Sequence, residues 1–353
     1  MVIMALDHVR DYFTAPALDP TDLSHTTFAL FMTRFITHFC APVFIFLAGS
    51  SAYLSRKPRR ELAAFLFTRG LFIVLLELTV MRFGWSFDVH YHSLFLITLW
   101  AIGWSMVALG GLVLLPVGAV GAIGVAMIFS HNAFDHVHGG LGWSLLHAHY
   151  RGDVAGVRVI VGYPLVPWIG VMAAGYAFGT MLGEQKRKQR LWLGISMIVA
   201  FVVLRTSNLY GDPHPWSAQA TPLFTVLSFL NCEKYPPSLC YLLMTLGPSL
   251  LLLVALERVR VSDEHPLHVF GRVPMFYYIL HIYLIHLIAC AVFAPRYGLA
   301  VFGFGVMQRP ADYGLPLGFT YLVWIGCVVG LYPVCRWYAA LKRRSRSVWL
   351  SYL

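Results

Sequence analysis

The sequence predicts an all-α polytopic integral membrane protein, a single domain over residues 1–353 that bundles about ten transmembrane helices. The first observation is composition, since 58% of the residues are hydrophobic and only 12% are charged, whereas soluble domains carry about a quarter. The second is a mean hydropathy of +0.68. The third is the recurrence of apolar runs of roughly 20 residues, which is the length of a bilayer-spanning helix.

The apolar runs place ten candidate spans along the chain. The first is short, and the break between the fourth and the fifth is placed at Gly110-Gly111. We expect these spans to form one helical bundle in the cytoplasmic (inner) membrane. They cover residues 1–14, 35–54, 62–82, 93–110, 111–130, 159–182, 191–206, 236–256, 268–293 and 317–338.

Basic residues set the expected orientation of this bundle. They gather in four clusters, and each cluster follows an even-numbered span, so all four lie on one side of the membrane. The positive-inside rule makes that side cytoplasmic and places both termini there. The formal net charge of +10 therefore reflects membrane orientation, and nucleic-acid binding is not expected. The clusters lie at residues 56–60, 186–190, 258–260 and 342–346.

One polar stretch within the apolar sequence is the expected reaction centre. Arg34 and His38 lie four residues apart near the start of the second span, so they share one helix face. An ionisable residue inside a membrane costs roughly a few kcal/mol and therefore usually faces a cavity or a partner. Just upstream, the first span carries Asp7 and His8, and the connecting loop carries His25. Acid, base and imidazole groups at neighbouring helix ends suit acid–base catalysis.

Most of the 15 histidines are expected on the side opposite the basic clusters, where the loop 131–157 also lies. Imidazole changes its charge near neutral pH, which suits it to proton transfer or metal binding. Three interpretations stay open: a metal site, hydrogen bonding to interfacial water, and general base catalysis by one or two of these side chains. The histidines are His25, His90, His92, His131, His136, His138, His147, His149 and His214.

A metal site would draw on the segment HNAFDHVH, in which His131, Asp135, His136 and His138 lie close together. The spacing matches no H-E-x-x-H pattern, and the six cysteines show no C-x-x-C spacing, so no metal is predicted. Hydration at the membrane interface is expected for four other loop histidines, namely His90, His92, His147 and His149.

Further polar features inside the spans have structural interpretations. Arg69 and Glu77 lie near one another on a helix and predict an ion pair, with each other or with neighbouring helices. Tyr277 and His281 are four residues apart in the ninth span and predict a polar contact within the bundle. The run Gly49-Ser50-Ser51 is expected to permit close helix packing.

Six stretches, in this order, resemble the bacterial branch of the heparan-alpha-glucosaminide N-acetyltransferase-like family. They are spread over nearly the whole chain, and their order and spacing carry the resemblance more than any one of them. The stretches are MVIMALDHVRDYF, DLSHTTFALFMTRFITHFCAPVFIFLAGSSAYL, HNAFD, YPLVPWIGVMAAGYAFG, FLNCEKYPPSLCYLLMTLGP and GRVPMFYYILHIYLIH.

The resemblance implies a fold, an activity and a set of site residues. Lysosomal members of the family transfer an acetyl group from cytosolic acetyl-CoA to a glucosamine amine on the luminal side. Their acceptor-side histidine corresponds here to His25 once a short gap is allowed, because an ungapped match would place Phe28 there. The polar residue at the end of their first helix falls at Asp7 or His8. Related proteins begin with a charged segment and an Arg-Gly pair, so the start of this chain implies either an upstream start codon or an incomplete first span.

The expected function is therefore that of a membrane-bound acyltransferase that uses acetyl-CoA and an extracytoplasmic glycan or amino-sugar acceptor. The imidazole is expected to act as general base or as acetyl carrier. Beyond the bilayer and these two substrates, homo-oligomer formation is left open. The catalytic residues expected are His25, with Asp7 as its helper, and His8, supported by Arg34, His38, His131, Asp135 and His281. Coenzyme A phosphates are expected to bind near the basic cluster at 56–60 or the one at 186–190, with Lys186, Arg187 and Lys188 as the candidate residues.

Two other functions compete with this one. A proton- or solute-coupled transporter would also carry charges at the membrane midplane and helix-breaking Pro and Gly. Such carriers often consist of two inverted halves, and the sequence shows no convincing internal repeat. A non-catalytic metal sensor built on the histidine-rich loops is the third hypothesis.

Overall fold

The computed structural model describes residues 1–304 and 309–345 and is mostly helical, at 70%. Arg346, the last residue of the fourth basic cluster, lies outside these ranges. The chain folds into two compact units. The terminal unit comprises Met1–Cys40, Thr79–Tyr91 and the described part of Val259–Leu353, and the central unit comprises Ala41–Leu78 and His92–Arg258. One domain over the whole chain stays a prediction.

The described residues contain α-helices, three strands and several short 3₁₀ or π-helical turns. The helices are α1 (Val2–Phe13), α2 (Phe28–Thr37), α3 (Cys40–Leu54), α4 (Arg59–Leu76), α5 (Arg82–Ser86), α6 (Thr98–Leu112), α7 (Val117–Ser130), α8 (Leu141–Leu146), α9 (Leu165–Phe178), α10 (Arg187–Ser207), α11 (Pro222–Leu230), α12 (Leu239–Leu256), α13 (Pro266–Arg272), α14 (Pro274–Tyr297) and α15 (Leu317–Arg344). The strands are β1 (Ser93–Leu96), β2 (Tyr150–Val154) and β3 (Val157–Val161).

Helices lie at all ten predicted spans, and within the described ranges seven helical segments are long and apolar enough to cross a membrane. Two further apolar helices are shorter, Thr98–Leu112 and Leu165–Met181. The polytopic helical class is therefore confirmed, while the count of ten spans and the side of the termini stay predictions. The predicted break at Gly110-Gly111 is slightly early, because α6 runs through both glycines and ends at Leu112. The seven segments are Phe28–Leu54, Arg59–Ser86, Val117–Phe134, Glu184–Ser207, Leu239–Leu256, Pro274–Gly303 and Leu317–Arg344.

Helix α1 lies at the centre of the terminal unit, where it contacts α2, α14 and α15. Ala5, Val9 and Phe13 recur every four residues along one stripe and are fully buried. The indole of Trp324 donates to the carbonyl of Val2 at 2.8 Å, which fixes the start of α1 against α15. A 12-residue helix is short for a membrane, yet its burial on several sides gives it a defined place in this unit.

Close backbone contact between α3 and α9 shapes the central unit. A Cβ at Gly49 would lie 2.1 Å from the carbonyl oxygen of Met172, and one at Gly175 would lie 2.1 Å from that of Phe46. Ser50 Oγ donates to the Gly175 carbonyl at 2.9 Å. Small residues therefore let two backbones meet, which confirms the close packing predicted for the Gly49 run.

A three-stranded sheet in the central unit corrects the all-α prediction. Its strand order is β1-β3-β2, with β1 parallel and β2 antiparallel to β3. Ala155 and Gly156 form the two-residue turn between β2 and β3, with φ of 50° and 82°. The strands are only four or five residues long, so a search for 20-residue apolar runs passes over them.

Glu77 has a different partner from the one predicted. Its side chain is fully buried in a π-helical turn, Glu77–Met81, and its Oε2 accepts a hydrogen bond from the backbone N–H of Leu99 at 2.8 Å. Among the described residues it pairs with no basic side chain, so the predicted ion pair is wrong for this residue. The π-turn instead directs the carboxyl group to the first turn of α6, where unpaired N–H groups attract an acceptor.

Candidate active site

Asp7 accepts hydrogen bonds from several side chains of the terminal unit. Arg34 Nη1 lies 2.8 Å from each of its carboxylate oxygens, and Arg10 Nη2 donates to Oδ1 at 2.9 Å. Thr37 Oγ1 also donates to Oδ1 at 2.9 Å. Arg10 bonds Asp11 as well, at 2.7 Å, so two guanidinium groups face two carboxylates and the formal charge balances. Since α1 carries Asp7 and α2 carries Arg34, the cluster ties these two helices together.

His8, the next residue of α1, faces α14 instead. Its Nδ1 lies 2.7 Å from His281 Nε2, and His281 Nδ1 lies 2.7 Å from the carbonyl oxygen of Tyr277. A carbonyl can only accept, so His281 must carry its proton on Nδ1 and, when neutral, must accept at Nε2. His8 therefore donates from Nδ1, which leaves the lone pair of the neutral imidazole on its Nε2. The two hydrogen bonds thus select the tautomer in which His8 Nε2 is basic.

The walls beside His8 are aromatic and include a buried hydrogen-bond donor, the indole N–H of Trp85. The Trp85 ring meets the His8 ring edge-on with centroids 5.0 Å apart, and the Tyr278 ring does so at 5.9 Å. Within the described residues, the buried Trp85 Nε1 and the Tyr277 hydroxyl have no hydrogen-bond partner. Buried donors are nearly always paired, so the Trp85 N–H, whose ring contacts His8, is suited to a substrate oxygen, whereas the Tyr277 ring stacks on His281.

His25 lies apart from this cluster in the loop between α1 and α2, with 72% of its side chain exposed. Its Nδ1 is 2.8 Å from Asp22 Oδ2 and 2.8 Å from Ser24 Oγ. The side-chain hydrogen bond from Ser24, followed by that from His25, lowers the pKa of Asp22 to about 2. The predicted helper, Asp7, is not among the partners of His25, and Asp22 occupies that role through an i, i+3 contact.

His38 follows directly after α2 at its C-terminal cap and is buried. Its ring is tilted against that of Phe35, with centroids 6.4 Å apart. The sequence places Arg34 and His38 on one face of the helix. Of these two residues, Arg34 contacts Asp7, while His38 lies at the end of α2.

His131 and Asp135 belong to the central unit, where they join His147. Asp135 Oδ1 is 3.1 Å from His147 Nε2, and its Oδ2 accepts from Asn132 Nδ2 at 2.8 Å. His147 was expected to face interfacial water, yet its side chain is buried. The sequence alone does not reveal this partner, because 12 residues, including short helix α8, separate it from Asp135 and only the fold brings the two together.

The basic residues expected to bind coenzyme A differ in their surroundings. Lys186 and Lys188 are exposed, and Lys186 Nζ donates to the carbonyl of Thr180 at 3.1 Å. Arg187 Nε lies 3.6 Å from a carboxylate oxygen of Glu257. The two lysines are therefore more accessible to a phosphate group than the arginine.

Comparison with known proteins places the chain in a family. A family model described as heparan-alpha-glucosaminide N-acetyltransferase, catalytic, matches residues 1–208, which is more than half of the 353 residues. The match includes His8, Asp7 and His25, whereas His281 lies beyond it. No curated protein and no solved structure matches the chain at a significant level. The chain therefore belongs to the heparan-alpha-glucosaminide N-acetyltransferase catalytic family, which implies a membrane acetyltransferase type of activity.

Proposed function

We propose that the protein transfers an acetyl group from acetyl-CoA to an amine or hydroxyl of an extracytoplasmic glycan or amino sugar, with His8 as the general base. The observation that carries this assignment is a relay of two hydrogen bonds, one between His281 Nδ1 and the Tyr277 carbonyl and one between His8 Nδ1 and His281 Nε2. This relay leaves Nε2 of His8 as the basic nitrogen. His8 is buried among aromatic rings, so bulk water competes poorly with the acceptor there.

The proposed step balances in atoms and protons. The acceptor nitrogen or oxygen attacks the thioester carbonyl and loses its proton to His8 Nε2, forming imidazolium. Trp85 Nε1–H, whose ring packs against that of His8, is the donor available for the carbonyl oxygen as it gains negative charge. Collapse of the intermediate breaks the C–S bond, and the coenzyme A thiolate takes the proton back from His8. His281 accepts from His8 Nδ1 throughout and acts as a positioning residue.

His25 with Asp22 is the alternative base, as the sequence predicts for His25. This dyad has the carboxylate–imidazole arrangement of acyl-transfer enzymes, but water surrounds it. An acetyl-imidazole formed at such an exposed position would face hydrolysis. We therefore assign His25 to the acceptor side and His8 to proton transfer.

Coenzyme A binding is assigned to the basic cluster at 186–190. Its phosphates would meet Lys186 and Lys188, which are exposed, whereas Arg187 faces Glu257. Replacing Lys186, Arg187 and Lys188 together with Gln should weaken acetyl-CoA binding, and the loss should be larger at low salt, where charges are least screened. Replacing exposed Arg258 and Arg260 with Gln is the matched control and should leave binding unchanged. Unchanged acetyl-CoA binding in the triple variant would show that these three residues do not bind the coenzyme A phosphates.

The decisive measurement is release of free coenzyme A thiol from acetyl-CoA by the purified protein in detergent, with glucosamine present or omitted. His8→Gln should slow acceptor-dependent release by about 10²–10⁴-fold, the usual cost of losing a general base. Trp85→Phe keeps an aromatic side chain, although a smaller one, and removes the indole N–H; it should lower kcat by about 10²-fold if that donor binds the developing oxyanion. His138→Ala, an exposed loop histidine, is the control and should match the wild type.

Two results would contradict the proposal in different ways. In the first, His8→Gln keeps the wild-type rate while His25→Ala loses activity. This result would identify His25, paired with Asp22, as the general base. Absence of thiol release with any acceptor, combined with solute uptake by proteoliposomes, would instead favour the transporter.

A further inference from the structure

We propose that His131, Asp135 and His147 in the central unit form a binding site for a zinc ion. Two imidazoles and one carboxylate are a ligand set that Zn²⁺ accepts, with a fourth position left for water. The sequence pointed instead to His136 and His138 as partners, and both are exposed and lie outside this group. The proposal is independent of acetyl transfer and stands on three separate observations.

The first observation is distance. One donor atom from each of the three residues can be chosen so that all lie within 4.8 Å of one another. A tetrahedral zinc ion with bonds of about 2.0–2.1 Å holds its ligands roughly 3.3 Å apart. Asp135 Oδ1 and His147 Nε2 are already separated by 3.1 Å. The bound of 4.8 Å exceeds the tetrahedral spacing of roughly 3.3 Å by about 1.5 Å, so the His131 nitrogen is at most about that far from a ligand position.

The second observation concerns His131 itself. Only 1% of this residue is exposed, and neither ring nitrogen has a hydrogen-bond partner in the part of the chain that the structure describes. An imidazole always carries at least one donor or acceptor site on each ring nitrogen. Buried polar groups are nearly always satisfied, and a bound metal ion would supply the partner of one of these two nitrogens.

The third observation is the support around the carboxylate. Asn132 Nδ2 donates to Asp135 Oδ2 at 2.8 Å, while Asn132 Oδ1 accepts from the backbone N–H of Leu239 at 2.8 Å. The amide therefore fixes Asp135 to the start of α12 and leaves Oδ1 directed at the histidines. Metal-binding carboxylates are commonly oriented by such outer hydrogen bonds. The Trp143 ring packs against His147, with centroids 5.3 Å apart, and limits its rotation.

The competing explanation is a plain ion pair between Asp135 and protonated His147, with His131 as a buried neighbour. The two explanations differ in what they predict for His131→Phe. If Asp135 and His147 form only an ion pair, His131 is not a ligand and this variant removes none. If the three residues bind zinc, the variant removes one of the three zinc ligands. The Phe ring is larger than imidazole and has no polar atoms, so folding of the variant is verified by its melting temperature before metal is added.

The test uses the full-length protein in detergent, freed of metal with EDTA and then titrated with Zn²⁺ or Co²⁺. We expect one equivalent of zinc to remain bound after desalting, and Co²⁺ to give the visible absorption of a tetrahedral site. His131→Phe, Asp135→Asn and His147→Ala should each lose this signal. Asn132→Ala should weaken binding by about 10–100-fold. His136→Ala and His138→Ala are matched controls from the same loop and should bind as the wild type does.

Two outcomes would overturn the proposal. One is the absence of retained zinc and of the cobalt spectrum in the folded wild type. The other is undiminished binding by His131→Phe or His147→Ala, since a metal ion held elsewhere, for example by the exposed loop histidines, would survive these changes.

Discussion

Arg34 Nη1 lies 2.8 Å from both carboxylate oxygens of Asp7, and both side chains are largely buried. The pair joins α1 to α2, while the neighbouring His8 joins α1 to α14. Positions 7 and 8 of one helix therefore fix it to two different neighbours. A helix this short gains its place from these polar contacts as well as from apolar packing.

Replacing Asp7 with Asn should destabilise the protein strongly. The change leaves Arg34 and Arg10 without the carboxylate that both of them contact. Removing one partner of a buried ion pair typically costs about 3–5 kcal/mol, because the remaining charge stays out of water. The expected result is a clear fall in the melting temperature of the detergent-solubilised protein, measured by intrinsic fluorescence.

The matched control for this prediction is Asp22→Asn, which also breaks an aspartate contact but at an exposed site. Its melting temperature should fall much less than that of Asp7→Asn, because an exposed contact contributes little to global stability. Equal stability of Asp7→Asn and the wild type would mean that the carboxylate contributes no net stabilisation.

Asp22 should stay ionised in moderately acidic solution, because the hydrogen bond from Ser24 lowers the pKa of its carboxyl group. The hydrogen bond from Ser24 is the largest cause of the lowered pKa of Asp22, about 2 against an ordinary 3.8. A carboxyl group with a depressed pKa stabilises the folded loop above about pH 4, and this contribution is lost as pH falls toward 2. Ser24→Ala should raise the pKa and move this loss to higher pH.

Carbodiimide labelling followed by mass spectrometry measures this shift, because the reagent reacts with the protonated carboxyl group. At about pH 4, Asp22 should react faster in Ser24→Ala than in the wild type, with the nearby Asp19 as an internal reference. Identical Asp22 labelling in both proteins would show that Ser24 does not set this pKa.

Gly49→Ala should disrupt the contact between α3 and α9. The new Cβ would lie 2.1 Å from the Met172 carbonyl oxygen, so the two backbones must separate. We expect a loss of about 1–3 kcal/mol, typical of overpacking, detected as a lower melting temperature. Gly118→Ala in α7 has open space around its Cβ and should be neutral or slightly stabilising. Equal melting temperatures in the two variants would show that α3 and α9 do not need this close approach.

The basic clusters predict that Ser55 is cytoplasmic and that His138 is not. Both residues are exposed, so cysteines introduced at either position should react with maleimides. The native cysteines give little background, since five of the six are buried and Cys40 is half-buried. An impermeant reagent added to intact cells should label position 138 and spare position 55. The opposite pattern would reverse the orientation.

The sequence predicts the helical spans well because a bilayer helix requires a long apolar run, and such runs are visible without any contact information. The tight α3–α9 contact was also predictable, since Gly49-Ser50-Ser51 provides small side chains on its own. The β-hairpin was missed because its strands are shorter than any membrane signal. Its cues are the Ala155-Gly156 turn and the β-branched residues of β3, and a search for 20-residue apolar runs ignores both.

The candidate site was predictable only where partners are close in sequence. Asp22 and His25, three residues apart, could have been paired from the Asp-x-x-His spacing. His8 and His281 are separated by 273 positions, and no sequence pattern relates them. The same holds for the placement of His147 beside Asp135. Long-range side-chain pairs depend on how helices pack, which composition and periodicity do not determine.

The hydrogen bond between His8 and His281 also limits how many protons the two rings can hold. With Tyr277 fixing the proton on His281 Nδ1, the neutral pair carries two ring protons. A third proton fits on His8 Nε2, but a fourth would place N–H groups face to face across the 2.7 Å contact and force the rings apart. The pair therefore stores a single proton, and the proposed reaction requires storage of one proton for each acetyl group transferred.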